Sequence, residues 1–324
     1  MPSSAQPTVD PRGLIPVSVK TLQLQGELAF DLYLWPSKSQ PARLYRERHI
    51  PLRELDLQRL LDQKIDTLYT KSSDAEDYCQ HLRTRILDDD TIPAAERYGA
   101  LIDATRTLLT AAFEKGEIEG ILRLSSQYGQ DLVKIVCNQQ NVLNDLLAVM
   151  THDYSTFTHV SNVCTCCIVL AEAAGLREGS TLAQIAQGAL LHDVGKCFIP
   201  AKIINKTTKL TEADQEIIRS HPSRGFEELC RRTDLNWGQL MMVYQHHERL
   251  DGRGYPCGLV DKEIHDWAKI CAIADVYDAL TRDRPYRKGA DVKDVLEYMD
   301  RESGRSFDEE FTQCWIAALK ECQA

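Results

Sequence analysis

The sequence predicts a mainly helical chain that begins with a small α/β region. In the first part, apolar residues alternate with the two-residue period of a half-buried strand: Leu28, Phe30, Leu32 and Leu34. After Thr151, apolar residues recur with the period of an α-helix, and only short loops separate the periodic segments. The two patterns occupy different parts of a chain of 324 residues, a length that itself suggests two domains.

The N-terminal region carries further strand and helix patterns. The segments ARLYRERHI and DTLYT are expected to form additional strands. Between them, Leu57, Leu60 and Leu61 share one face of an expected helix. These residues form no recognisable catalytic pattern. The sequence therefore predicts a small α+β domain over residues 1–90, with a regulatory role.

A proline marks the start of the next part. Pro93 suits the first turn of a helix, and apolar residues follow it at helical spacing. We therefore predict a helical connector over residues 91–143 and a helical domain over residues 144–324.

The charge balance narrows the kind of partner. With 38 basic and 48 acidic residues, the formal net charge is −10. Such a chain is poorly suited to broad contact with DNA or with an anionic membrane surface. A small anion needs only local positive charge, which the segment TRDRPYRK from Thr281 to Lys288 offers.

Cysteine usage and hydropathy indicate the compartment. The 11 cysteines are scattered and odd in number, which does not suggest a disulfide framework. Cys164, Cys166 and Cys167 lie in an apolar helical run and are expected in the core. Neither a signal-peptide pattern nor a run of about 18 apolar residues is evident. We therefore expect a cytoplasmic protein without membrane insertion.

The histidines cluster in the second half of the chain. Seven of the nine lie after residue 150: His152, His159, His192, His221, His246, His247 and His265. Histidine is the commonest metal ligand and titrates near neutral pH. The clustering predicts a metal or acid–base site there.

The dipeptide His192-Asp193 has the strongest local context. It ends a periodic helix, and an imidazole with an adjacent carboxylate suits iron, manganese or zinc. Gly195 is expected to end the helix and let the backbone approach a ligand. Lys196, one turn later, is placed to meet a phosphate oxygen. His152 and His265 lack such neighbours and are expected on the surface or at helix caps.

A second candidate group is the pair His246-His247. The segment RLDGRGYP follows it directly, and its glycines, tyrosine and proline predict a tight loop. By itself the histidine pair would fit a solvated surface equally well, but the loop favours a functional site.

Three segments together resemble one known family. LLHDVGK, HHERLDGRGYP and AIADVYDALTRDRPYR, in this order, resemble the HD-GYP domain of bacterial cyclic dinucleotide phosphodiesterases, within the HD superfamily. The resemblance covers roughly Asn144 to Cys322 and implies an all-helical metallohydrolase fold for that part.

The resemblance implies a set of metal ligands. They are His192, Asp193, His221, His246, His247 and Asp275. Asp193 resembles the carboxylate that bridges two metals. Asp275 lies in the apolar run ICAIADVYDAL, where a carboxylate is costly unless it is paired or metal-bound. Thr211 and Asp214 are expected to cap the helix before His221.

The number of metals follows from one departure. His159 resembles a histidine that binds metal in three-metal members and in other members contacts the metal ligands without binding metal itself. Ser155 stands where the three-metal members have glutamate. We therefore expect two divalent ions, iron first, with manganese or another transition metal as the alternative.

The implied activity is hydrolysis of cyclic di-GMP to pGpG and, in some members, to GMP, which lowers the second-messenger level. Asp193 and Lys196 are the expected catalytic residues. The expected substrate-binding residues are Asp278, Arg284, Arg287, Gly252 and Tyr255. The resemblance also implies a diguanylate cyclase domain as a partner at the GYP loop, and a homodimer is left open.

Two other functions stay open from the sequence. A cyclic di-GMP sensor with little turnover would share every motif. An HD phosphohydrolase for another cyclic dinucleotide is the second alternative, although the HHERLDGRGYP and DALTRDRPYR segments favour cyclic di-GMP.

Overall fold

The computed structural model describes residues 8–9, 13–22, 27–35, 41–89, 91–137, 156–204, 206, 208–283 and 288–321. The chain divides into two compact units, Met1–Leu108 and Leu109–Ala324. The predicted fold class is confirmed, since a small sheet near the N-terminus precedes a helical remainder. The three-part division at residues 90 and 143 stays a prediction.

The first unit contains one sheet and two helices. Its strands are β1 (Thr8–Val9), β2 (Leu14–Ser18), β3 (Leu32–Leu34), β4 (Ala42–Arg46) and β5 (Thr67–Lys71). The sheet order is β1-β4-β3-β5-β2, and each of its pairings is antiparallel. The helices are α1 (Glu54–Asp62) and α2 (Ala75–Leu82), and a π-helical turn, Arg83–Leu87, follows α2.

The core of this unit lies between the sheet and the two helices. Phe30 and Leu68 are fully buried and pack with Tyr78 of α2. The alternating run at residues 28–34 forms a strand only at its end, although its first members are buried. Leu61 is half exposed, so the predicted three-leucine face of α1 is wrong at that position. No pattern in the sequence predicted β2, an edge strand that contains Pro16.

The remaining helices belong wholly or partly to the second unit. They are α3 (Ala94–Lys115), which contains the boundary between the units, α4 (Ile118–Cys137), α5 (Thr156–Ala173), α6 (Gly179–Leu191), α7 (Ala201–Ile204), α8 (Glu212–Arg219), α9 (His221–Leu229), α10 (Trp237–Gln245), α11 (Asp266–Thr281), α12 (Val292–Glu302) and α13 (Glu309–Glu321).

Helix α6 is central in the second unit. It packs against α4, α5 and α10, and α11 packs against both α5 and α10. The apolar face predicted for this helix is buried: Leu182, Ile185, Ala186, Ala189 and Leu190. Because these helices meet around the end of α6, the residue that follows Leu191 is enclosed on several sides.

The predicted core cysteines are confirmed. Cys164, Cys166 and Cys167 are buried in α5, and the thiol of Cys164 donates to the carbonyl of Ala186 at 3.3 Å. In the described part of the chain, no helix combines the length and apolarity that crossing a bilayer requires.

Gly195 has a different role from the one expected. Helix α6 ends at Leu191, and Gly195 lies in the 3₁₀ turn Val194–Phe198. A Cβ at this position would lie 1.9 Å from the carbonyl oxygen of His221 and 2.8 Å from the amide nitrogen of Gly225. The glycine therefore lets two backbones meet, and this contact places His221 beside the end of α6.

We expect Gly195→Ala to destabilise the protein, because the added methyl group would meet backbone that cannot move aside. Overpacking of this kind costs about 1–3 kcal/mol or more. Urea-induced unfolding measures the change. Gly120→Ala is the control, since its Cβ would meet nothing closer than 3.7 Å and helix propensity favours alanine. Equal stability of the two variants would contradict this reading.

Candidate metal centre

The expected ligands come from four separate places in the second unit. His192 caps the end of α6 and Asp193 follows it. His221 is the first residue of α9. The pair His246-His247 directly follows α10, and Asp275 lies within α11. The structure brings all six predicted ligands to one place.

Local sequence explains how His221 reaches this place. Thr211 caps α8, and its hydroxyl and the Asp214 carboxylate form the predicted capping box. The helix ends at Arg219, and Pro222 occupies the first turn of α9. The break between the helices leaves His221 buried and facing inward.

Backbone carbonyl groups determine the tautomers of three histidines. Nδ1 of His192 lies 2.6 Å from the carbonyl oxygen of Ala189, and Nδ1 of His221 lies 2.8 Å from that of Ile218. Nδ1 of His246 lies 2.9 Å from the carbonyl oxygen of Met242. A carbonyl oxygen can only accept, so each Nδ1 donates and each neutral ring keeps its lone pair on Nε2.

These Nε2 atoms converge on one another and on Asp193. Nε2 of His221 and Nε2 of His246 are 3.2 Å apart. Nε2 of His221 lies 3.2 Å from Oδ1 of Asp193, and Nε2 of His192 lies 3.4 Å from Oδ2. Two of these buried atoms, His192 Nε2 and Asp193 Oδ1, have no partner with hydrogen-bond geometry in the described structure.

Such an arrangement fits a cation. Facing lone pairs and a buried carboxylate oxygen without a hydrogen bond are unfavourable unless a positive ion lies between them. Within the described residues, three groups have ligand atoms close enough to hold a metal: His221, His246 and His247; His159, His192 and Asp275; His192, Asp193 and His246. Because Asp193 and His246 approach members of more than one group, the groups form one continuous centre.

His159 lies at the other side of this centre. Its Nε2 is 3.2 Å from Oδ1 of Asp275 and 3.6 Å from Oδ2 of Asp193. Its Nδ1 is 2.7 Å from Oδ2 of Asp278. When Asp278 accepts from Nδ1, the Nε2 lone pair faces the two carboxylates, so His159 is placed as a direct ligand.

Asp278 is enclosed by neighbouring side chains. It is 1% exposed, and its Oδ1 accepts from Asn162 Nδ2 at 3.0 Å and from Arg282 Nε at 2.7 Å. Its other oxygen is the partner of His159. The enclosing side chains bond to both carboxylate oxygens, and direct substrate contact by Asp278 stays a prediction.

Lys196 and Tyr255 lie at the rim. The Lys196 ammonium group contacts Oδ2 of Asp193, and its side chain is partly exposed. The ring of Tyr255 stacks on His247, with centroids 4.6 Å apart. The Arg219 guanidinium lies 5.5 Å from the centroid of Tyr255.

Of the other predicted residues, the structure describes Gly252 and His265. Gly252 has a φ of 73° and donates its amide to the Arg249 carbonyl, so a turn explains the glycine and substrate contact stays a prediction. Arg284 and Arg287 lie outside the described residues, as do Ser155 and His152. His265 caps α11 through its Nδ1, as expected.

Sequence reasoning missed the residues that support the centre. Asn162 lies one turn after His159 on α5, and Arg282 lies one turn after Asp278. The sequence shows that each of these residues shares a helix face with its neighbour, but nothing in the sequence indicates that α5 packs against α11.

Two histidines of the metal-free centre have raised pKa values. Burial lowers the pKa of His192, but the Asp193 carboxylate outweighs burial, and the pKa is about 9. Burial also lowers the pKa of His159, but hydrogen bonds to Asp275 and Asp278 raise it to about 9. Both rings are therefore protonated at neutral pH when no metal is bound.

The pKa values of His246, His247 and Asp193 favour the metal-binding protonation state. Burial lowers the pKa of His247 to about 3 and that of His246 well below its usual value. Burial would raise the pKa of Asp193, but Lys196 and the imidazolium of His192 hold it well below its usual value.

The helical domain that carries this centre matches a known family. A sequence profile described as HD domain matches residues 140–311. The chain belongs to the HD domain family. The HD domain is a metal-dependent hydrolase fold, which agrees with the His and Asp groups described above.

Curated relatives share the HD domain region. The protein is 34% identical over 184 residues to "Cyclic di-GMP phosphodiesterase PA4108" of Pseudomonas aeruginosa, a match that covers 57% of this chain and 44% of that protein. It is 37% identical over 150 residues to "3'3'-cGAMP-specific phosphodiesterase 1" of Vibrio cholerae, covering 45% of this chain and 34% of that protein. The matched segments thus span less than half of these relatives.

A solved structure shows the same fold. It is described as "Bd1817, a HDG"Y"P protein from Bdellovibrio bacteriovorus", and it matches 95% of this chain and 99% of its own with a TM-score of 0.65 at 20% identity. Together with the HD domain match, these findings confirm the resemblance drawn from the three motifs.

We expect metal binding to release protons. His159 and His192 carry protons below about pH 9 in the metal-free HD domain, and a metal ligand must be neutral. Affinity for a divalent ion should therefore rise from pH 6 to pH 9, by up to about tenfold per pH unit for each proton released. Calorimetric titration in buffers of different ionisation enthalpy measures the released protons. Binding that releases none and does not vary with pH would contradict the prediction.

We expect Asp278→Asn to weaken metal binding by about 10–100-fold, because it removes the carboxylate that orients His159. Competition with a chromophoric chelator measures the metal dissociation constant. Asp300→Asn, which changes an exposed carboxylate bonded to Gln313, is the control. A substrate-contact role would instead lower substrate affinity and leave metal affinity unchanged.

Proposed function

We propose that this protein is a metal-dependent phosphodiesterase that hydrolyses cyclic di-GMP to linear pGpG, with further cleavage to GMP as a second product. The observation that carries the proposal is the convergence of imidazole Nε2 atoms on the buried Asp193 carboxylate. The six predicted ligands fall within three overlapping groups, to which we assign two divalent ions, with iron first and manganese or another transition metal as the alternative.

The chain's own residues have separable parts in this reaction. In the metal-bound state His192, His221 and His246 would present neutral Nε2 atoms, and the Asp193 carboxylate lies 3.4 Å from Nε2 of His192 and 3.2 Å from Nε2 of His221. Divalent ions bound there supply Lewis-acid activation of water and of a phosphoryl oxygen. Lys196, whose ammonium group is partly exposed beside Asp193, donates to a phosphoryl oxygen as negative charge grows on it.

The rim of the centre supports an anionic, aromatic substrate. Tyr255 offers a ring surface beside His247, and the Arg219 guanidinium adds a positive charge 5.5 Å from the centroid of that ring. A nucleobase stacks on an aromatic ring, and a guanidinium pairs with phosphate. The substrate-binding role of Arg284 and Arg287 stays part of the proposal.

A second substrate has a specific observation in its favour. One relative with 37% identity is named as a cGAMP-specific phosphodiesterase. The two cyclic dinucleotides share the phosphodiester ring and differ in one base, so the metal centre would act on either. Recognition of that base decides between them.

The first unit has a proposed regulatory role. It has its own sheet and core, and it contains none of the metal-centre residues. The division into residues 1–90, 91–143 and 144–324 belongs to this proposal. A diguanylate cyclase partner and a homodimer stay predictions.

Turnover by the purified protein tests the proposed function. Prepared without oxygen and loaded with Fe²⁺ or Mn²⁺, it should convert cyclic di-GMP to pGpG, which chromatography separates. Asp193→Asn should reduce kcat at least about 100-fold, because an amide cannot supply the negative charge that would hold a divalent ion there. Asp266→Asn is the matched control, since it changes an exposed aspartate that also follows a histidine.

The outcomes separate the alternatives. Metal-loaded protein that binds cyclic di-GMP but forms no linear product would replace the enzyme by a sensor. Faster cleavage of cGAMP than of cyclic di-GMP would move the substrate to cGAMP. Full activity of Asp193→Asn would contradict the site.

A further inference from the structure

Glu248, the residue that follows the histidine pair, is buried and takes no part in the proposed chemistry. It is 4% exposed. Its carboxylate accepts three hydrogen bonds from backbone amides of the loop that follows. Oε1 accepts from Cys257 at 2.7 Å and from Gly258 at 3.2 Å, and Oε2 accepts from Leu259 at 3.0 Å. Hydrogen bonds to an ionised acceptor are stronger than neutral ones.

The loop closes tightly over this carboxylate. It returns on itself through a bridge between Asp251 and Val260. A Cβ at Gly254 would lie 2.4 Å from both the Glu248 Cα and the Arg249 nitrogen, so the loop lies directly on the backbone of Glu248. The two ends of the loop therefore meet each other, and its middle lies against the backbone of Glu248.

One consequence of this closure is the position of Tyr255. Its amide donates to the carbonyl of His247 at 3.1 Å, and its ring stacks on the His247 imidazole at 29°. The amides that Glu248 holds begin only two residues after Tyr255. Glu248 thus holds the segment directly after Tyr255, whose ring covers one face of the candidate ligand His247.

We propose that Glu248 is a positioning residue that acts through Tyr255. Its carboxylate holds the loop so that the Tyr255 ring stays against His247 and forms one wall of the site for the cyclic dinucleotide. The substrate part of this inference rests on the proposed function, whereas the placement of Tyr255 does not.

Glu248→Gln tests the inference without changing side-chain size. A glutamine has one acceptor oxygen, and its NH₂ group would face at least one of the three backbone N–H donors. Glu263→Gln is the matched control, because Glu263 also accepts a backbone amide of the same loop, from Val260 at 2.9 Å, but at the end remote from Tyr255.

Hydrogen exchange gives a readout that needs no turnover. In Glu248→Gln, the amides of Cys257, Gly258 and Leu259 should exchange at least about tenfold faster than in the wild type, because their opening becomes easier. Glu263→Gln should leave these three rates within about twofold. Unchanged exchange in Glu248→Gln would overturn the inference.

Kinetics then separate a positioning role from a merely structural one. Glu248→Gln should raise KM for cyclic di-GMP about three- to tenfold, with metal content unchanged and kcat altered less than KM. Tyr255→Leu should raise KM similarly, and the double variant should be no worse than Tyr255→Leu alone. Additive effects, or an unchanged KM, would overturn the action through Tyr255.

Failure of the proposed function gives a different result. If the wild type cleaves no cyclic dinucleotide, the substrate wall is refuted together with that function. Faster exchange in Glu248→Gln but not in Glu263→Gln would then still support the placement of the loop by Glu248.

Discussion

The second unit depends on one electrostatic constraint: the Asp193 carboxylate is buried among imidazole rings whose Nε2 lone pairs face it. When neutral, each of these rings donates its Nδ1–H to a backbone carbonyl, so none can rotate to donate to Asp193 without losing that bond. Burial of a charge is tolerated only when an opposite charge accompanies it. The fold thus creates a place where a cation is stable and where protons compete with it.

Backbone contacts, more than side-chain contacts, bring the ligands into this geometry. The absence of a Cβ at Gly195 lets the turn after α6 touch the first residue of α9. Helix ends carry the ligands at His192, His221 and the His246-His247 pair, where the backbone changes direction. Ligands on helix ends hold their direction because the helices themselves are packed, which is the preorganisation that a metal centre requires.

The supporting residues differ from the ligands in what could be foreseen. Three local motifs contain five of the six predicted ligands. The sixth, His221, is positioned by the capped helix before it and by the proline after it. The role of Asp278 could not be foreseen, since its partners on α5 are more than a hundred residues away in the chain. The sequence pattern of a carboxylate in a helix is the same whether the side chain faces a substrate or a buried arginine.

By itself, the sequence determined the helical character, the candidate ligand set and the family, because helix periodicity and motif spacing are local properties of the chain. Only the tertiary structure decided which way each carboxylate faces. In the folded chain, Asp278 faces inward and contacts His159 and Arg282. Glu248 accepts hydrogen bonds from the backbone of the following loop, and one oxygen of Asp193 has no hydrogen-bond donor in the described structure. The physical reason is that a carboxylate takes its partners from whatever packing brings within about 3 Å, and that packing joins helices distant in sequence.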